Sequence, residues 1–190
     1  MCGRYYIEID EKELQDIVDE VERNIHESGE QLTFKTSGEF FPTDAAPVQT
    51  GSGCYRLMRW GFAGYNGKPV INARSETALE KPMFRQSMLE RRCLIPASGY
   101  YEWRKDEKKK IKHRLFIPGQ PMFFAGCWRQ EKDSPLPAFV ILTRPAAGAV
   151  EAIHDRMPVI IPRNRADVWL NDGPDTMREA IEALSCKPVS

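Results

Sequence analysis

The chain has 190 residues, 42% of them hydrophobic, and its 27 basic residues balance 27 acidic ones to a formal net charge of zero. Such a length fits one domain, residues 1–190, with a sizeable core, and the neutral balance excludes a globally basic, nonspecific nucleic-acid binder, so any DNA contact must come from a local cationic groove. No run reaches the apolar length needed to cross a bilayer, and no basic stretch followed by an apolar one opens the chain, so a cytoplasmic protein is expected, nucleoid-associated if bacterial.

In chain order, residues 4–9 read as a strand. Asp10 then reads as a helix N-cap with Glu13 three residues on, as in a capping box. Leu14, Ile17, Val18, Val21 and Ile25 recur at helical spacing, and Gly29 ends the pattern. Short apolar runs follow, and strands are expected at 46–49, 54–60, 93–103, 113–117, 122–128, 138–143 and 157–161. The charged segment from Lys105 to Lys112 reads as an exposed hairpin tip. Short helices are expected at 75–90, 145–152, 163–170 and 174–185. The pattern predicts an α+β domain with a largely antiparallel, barrel-like sheet and flanking helices.

Five cysteines (Cys2, Cys54, Cys93, Cys127 and Cys186) are odd in number, widely spaced and lack a Cys-x-x-Cys pair. That argues against a disulfide framework and a zinc site, and no metal or organic cofactor is implied. Position sets Cys2 apart. Removal of Met1, expected before a small second residue, leaves Cys2 with a free α-amine beside its thiol. An α-amine titrates near 7.7–8.0, far below lysine, so much of it is neutral at physiological pH and can attack an aldehyde. The thiol can then close onto the same carbon as a thiazolidine.

Three further segments carry candidate chemistry. If residues 71–77 are extended, alternation puts Asn72 and Arg74 on one side, an amide to orient an amine and a guanidinium to hold a phosphate; the bland alternative is a surface turn entering a helix. Glu102 sits between Tyr101 and Trp103, which alternation turns to the opposite face, and a partly desolvated carboxyl can serve as a general acid; a simple ion pair to Arg104 is equally compatible. His154 leads into an apolar strand with Arg156 two residues on, and an imidazole can move protons at neutral pH, although a lone histidine at such a junction is commonly structural.

Taken together, the blocks Met-Cys-Gly-Arg (1–4), Trp60-Gly61-Phe62, Asn72-Ala73-Arg74-Ser75-Glu76-Thr77, Arg92-Cys93-Leu94-Ile95-Pro96-Ala97 with Gly99-Tyr100-Tyr101-Glu102-Trp103, Ala125-Gly126 and His154-Asp155-Arg156-Met157-Pro158-Val159 resemble the SOS response-associated peptidase (SRAP) family. The resemblance implies recognition of abasic sites in single-stranded DNA and a thiazolidine crosslink through Cys2 that shields the lesion. It assigns amine and thiol to Cys2, adduct orientation to Asn72, acid/base work and crosslink reversal to Glu102, and proton transfer at the sugar to His154. Arg4, Arg74 and Arg156 would hold phosphates, and Trp60 would lie near exposed bases. The family pattern Trp-Gly-x-x-Pro-x-Trp is not completed after Phe62. A monomer acting on DNA, away from membranes, is expected. The competing readings are a thiol peptidase with Cys2 as nucleophile and His154 as base, and a non-catalytic single-strand DNA-binding module; AP-lyase cleavage is a side reaction of the same Schiff base.

Overall fold

The computed structural model describes residues 2–29, 32–65, 67–107, 109–132 and 134–189. Strand β1 (Tyr5–Ile7) is buried throughout, and the chain turns from it into helix α1 (Lys12–Ser28), whose apolar stripe of Leu14, Ile17, Val18 and Val21 faces the core. The stop is as the sequence predicts: Gly29 takes φ 73° and its N–H bonds to the His26 carbonyl, a left-handed cap that a Cβ would strain. The start is not. Glu11, extended at φ −87°, takes the N-cap position expected for Asp10, and no side chain caps the helix there; the turn out of β1 delays the first helical bond to Leu14 N–H on Glu11 O.

Strands β2 (Gly38–Phe40), β3 (Ala45–Gly51), β4 (Cys54–Trp60) and β5 (Asn72–Arg74) precede helix α2 (Pro82–Glu90). Only the end of the expected 75–90 helix forms, because Pro82 fits the first turn of a helix and not its middle. The expected strand 93–103 is two strands, β6 (Arg92–Ala97) and β7 (Gly99–Asp106), broken at Ser98. Strands β8 (Lys109–Phe116), β9 (Met122–Arg129), β10 (Ala138–Pro145) and β11 (Arg156–Pro158) follow, then helix α3 (Ala166–Asn171) and β12 (Ser185–Pro188). The expected helices at 145–152 and 174–185 shrink to 3₁₀ turns at Gly148–Val150 and Pro174–Glu179. The hairpin closes with Asp106 opposite Lys109, within the expected charged segment; Glu107 takes φ 43°, and Lys108 lies outside the described residues.

The α+β class and the largely antiparallel pairing hold, whereas the expectation of one barrel-like sheet is corrected. The strands do not close into one barrel; they divide into two sheets. The first is an open, antiparallel sheet in the order β12-β8-β7-β1-β2. The second has seven strands, runs β11-β10-β4-β3-β6-β9 and takes β5 onto β10, with a further β9–β10 pairing. Its contacts of β10 with β4 and with β5 are parallel. Strand β10 can occupy that crowded position because Ala138–Leu142 are apolar on both faces and all are buried. Alternation along the chain reports which face of a strand is buried, and is silent about which strands pair.

The two sheets meet over an aromatic cluster. Tyr5 stacks on Phe40 at 5.0 Å and touches Trp60 and Phe124 of the other sheet at 5.1 and 6.1 Å between ring centroids. Gly99, opposite Tyr6 in the β1–β7 register, keeps the strands close: a Cβ there would stand 2.4 Å from the Leu115 carbonyl oxygen.

Candidate active site

The N-terminal residues are drawn into the molecule because β1 pairs with β7, Tyr5 opposite Tyr100, and the pairing runs on through the Tyr101 N–H to the Arg4 carbonyl at 2.9 Å. That brings Cys2 to the buried side of β7, where it is 0% exposed. The Asn72 side-chain amide donates to the Cys2 carbonyl at 2.9 Å, so a strand of the second sheet clamps the N-terminus delivered by the first. Burial pushes the Cys2 thiol well above its ordinary range; the Glu102 charge adds to this and a backbone hydrogen bond from Arg4 opposes it.

Glu102 is buried on β7, sharing its inward face with Tyr100, while Tyr101 and Trp103 turn to the half-buried outer face as alternation predicts. Tyr5 and Tyr100 lie side by side beneath the site. Burial and then the Cys2 charge hold both phenols far above their ordinary range, and neither hydroxyl has a hydrogen-bond partner among the described residues. Asn72 Oδ1 is likewise buried without one. Opposite Glu102 on β8 stands His113, also buried, its Nδ1 3.0 Å from the Ile111 carbonyl. The sequence reading passed over Tyr5, Tyr100 and His113. The observed register, Asp106 opposite Lys109, sets Glu102 opposite His113, whereas counting from the centre of the charged segment 105–112 would have set it opposite Leu115.

Asn72 and Arg74 share one side of β5, with Ala73 buried between them, as expected for an extended segment. Arg74 is exposed and lines a cleft of about 580 Å³ together with Tyr65, Asn72, Lys81, Met83 and Phe84. The cleft opens directly beside the clamped N-terminus, through Asn72. Arg4 lies over the rings of Phe41 (4.3 Å) and Trp103 (5.0 Å) and pairs with Glu39 at 3.2 Å.

Two expected DNA contacts are corrected. Trp60 is wholly buried, its indole N–H on the Ile71 carbonyl at 3.0 Å; it supports the residue before Asn72 from beneath and has no face free for a base. The exposed aromatic at the cleft is Tyr65, in the glycine-rich segment after Phe62. Arg156 is 8% exposed and engaged by both Glu76 carboxylate oxygens and, at 2.6 Å, by the Thr143 carbonyl, so it offers no free charge to a phosphate. Its hydrogen bonds hold the Glu76 carboxyl down to about 2, against the upward pull of burial.

His154 stands on the segment entering β11. Its Nδ1 accepts the Arg156 backbone N–H at 3.0 Å and lies 2.7 Å from Asp155 Oδ1. These contacts ask for opposite protonation of Nδ1. The amide can only donate, and Asp155 is 84% exposed, so Nδ1 is the acceptor and the neutral ring carries its proton on Nε2. Of the four expected catalytic residues, the contacts above bring Cys2, Asn72 and Glu102 together.

The sequence model of the SOS response associated peptidase (SRAP) proteins matches residues 1–190. Abasic site processing protein YoqW of Bacillus subtilis is 36% identical over 195 residues, covering 90% of this chain and 80% of the relative. Abasic site processing protein YedK of Escherichia coli is 34% identical over 138 residues, covering 69% of this chain and 62% of its own. A solved structure from Bordetella bronchiseptica superposes with a TM-score of 0.77 across 100% of both chains at 20% identity, which speaks for the fold alone.

Proposed function

Because the chain belongs to the SOS response associated peptidase family, we propose that it captures abasic sites in single-stranded DNA as a covalent thiazolidine through Cys2, once Met1 has been removed. The observation that carries this reading is the buried Cys2 beside Glu102 with its carbonyl clamped by Asn72.

The ring-opened deoxyribose presents an aldehyde at C1′. The neutral α-amine of Cys2 adds to it, and loss of water gives the imine. The Cys2 sulfur then adds to the same carbon while its proton passes to nitrogen, closing the five-membered ring; one water is released in all and no redox step occurs. Glu102 gives a proton to the departing hydroxyl and takes one back, and run in reverse the same transfer opens the adduct. Asn72 fixes the amine by holding the carbonyl next to it. The Cys2 thiol brings the proton that ring closure passes to nitrogen. Arg74 and Arg4 hold flanking phosphates, Tyr65 offers a face to a base, and His154, through Nε2–H, assists at the sugar hydroxyl. The protein acts as a monomer.

The test is a denaturing gel of Met1-processed protein with a single-stranded oligonucleotide carrying one abasic site. A detergent- and heat-stable shifted band that needs both the lesion and Cys2 is expected. Its absence with the processed N-terminus confirmed, or its persistence in Cys2→Ala, overturns the reading.

A further inference from the structure

The outer face of the first sheet carries cations that folding stability does not explain. On this face Lys105 stands directly opposite Lys110 across β7 and β8, and Arg114 directly opposite Lys187 across β8 and β12. Like charges facing each other in a sheet are unfavourable. Only part of this charge is answered: Arg114 pairs with Glu8 at 2.6 Å and Lys112 with Glu39 at 2.6 Å. Lys105, Lys110 and Lys187 are exposed, with no described carboxylate in salt-bridge reach. The zero net charge hides this. Residues 8–30 hold ten acidic and two basic side chains, leaving 25 basic against 17 acidic in the rest of the chain. The acidic segment is largely α1, which packs on β3 and β4 of the other sheet.

Two features say what such a face would take. The cations recur every second residue along the hairpin, about 7 Å apart, the distance one nucleotide of an extended strand spans. The aromatics between them are already roofed: Lys112 lies 3.8 Å over Tyr101, Arg114 4.4 Å over Tyr6, and Lys187 5.5 Å over Phe116. Rings covered in this way cannot stack bases, so recognition falls to phosphates. The row also leads to the candidate active site, since Arg4 lies over Trp103, the residue opposite Lys112, and shares Glu39 with that lysine.

We propose that the outer face of the β12-β8-β7-β1-β2 sheet is a track for the phosphate backbone of the single strand running away from the lesion, binding it without regard to sequence. This rests on the covalent reading for the identity of the polyanion, and adds a non-covalent docking surface distinct from the cleft of Arg74 and Tyr65. The track sets affinity and residence, not the chemistry of Cys2.

The test measures binding of an unmodified single-stranded oligonucleotide, which cannot crosslink, by fluorescence anisotropy across a salt series. The triple variant Lys105→Ala, Lys110→Ala, Lys187→Ala should reduce the slope of log K against log[salt] by about 2, at about 0.7 per phosphate contact in single strands, and bind roughly 100-fold more weakly at about 0.1 M salt. The matching Lys→Arg triple should keep the wild-type slope, which separates lost charge from damaged structure. With saturating protein, both triples should still crosslink an abasic oligonucleotide to the wild-type yield. An unchanged slope in the alanine triple, or an equal loss in the arginine triple, overturns the track. Failure of wild-type protein to crosslink would sink the covalent reading, while the salt slope would remain a valid test of the surface.

Discussion

Strand β7 does two different things on its two faces. Inward, Tyr100 and Glu102 are buried around Cys2, where charge and hydroxyl groups lie out of water. Outward, Tyr101, Trp103 and Lys105 face solvent among partly screened cations. The same residue types act differently because of solvent. A carboxylate beside the buried thiol shifts its titration, whereas an outer pair such as Lys112–Glu39, with side chains 23% and 32% exposed, is worth under about 1 kcal/mol. The proposed reactive centre would thus depend on single groups, and the proposed track on their sum.

The largest way to probe this contrast is Glu102→Gln, which keeps the shape of the inner face and removes its acid. Crosslink formation should slow by roughly 10²–10⁴-fold while binding of unmodified DNA stays at the wild-type level; equal slowing of both would mean that the inner face acts through structure. Next comes Gly99→Ala, which presses a Cβ against the Leu115 carbonyl oxygen and Tyr6 Oη where β1, β7 and β8 meet. A loss of about 3 kcal/mol or more, seen as a melting point lowered by roughly 6–12 °C, is expected; an unchanged melting point would contradict the close packing that separates the two faces.

A smaller effect should appear in acid. Arg156 holds the Glu76 carboxyl at about 2, below its ordinary 4.5, so the pair contributes stability that is fully present above pH 4.5 and is lost as pH falls toward 2. Melts over that range should show a drop in the wild type that Glu76→Gln lacks; parallel curves would remove Arg156 from the fold's supports and reopen it as a phosphate ligand. The smallest effect is expected for Lys112→Ala on the outer face: under about 1 kcal/mol in stability, and no change in crosslinking rate at saturating DNA. A rate loss comparable to that of Glu102→Gln would erase the distinction between the faces.

Two readings that rested on periodicity within one element held. The α1 stripe and its Gly29 stop follow from spacing within one element, as does the split of β7 into an inward Glu102 and an outward Tyr101 and Trp103. Two misreadings were themselves local: the capping pattern at Asp10 yielded to the turn leaving β1, and Pro82 reset the start of α2. Trp60 and Arg156 were expected as DNA contacts from the family resemblance, and distant partners decide otherwise: Ile71 and Glu76 lie 11 and 80 residues away.

By itself the sequence determined the candidate groups within reach: a cysteine directly after the first methionine, an asparagine and an arginine on one side of a short strand, and a glutamate alternating with aromatics. Those follow from residue type and from the period of a strand, which are local. The tertiary structure alone decided that Asn72 meets Cys2 across 70 residues, that the strands form two sheets instead of one barrel, and which arginines remain free to meet a ligand. Strand pairing, burial and charge neutralisation arise from contacts between distant segments, and no spacing along the chain encodes them.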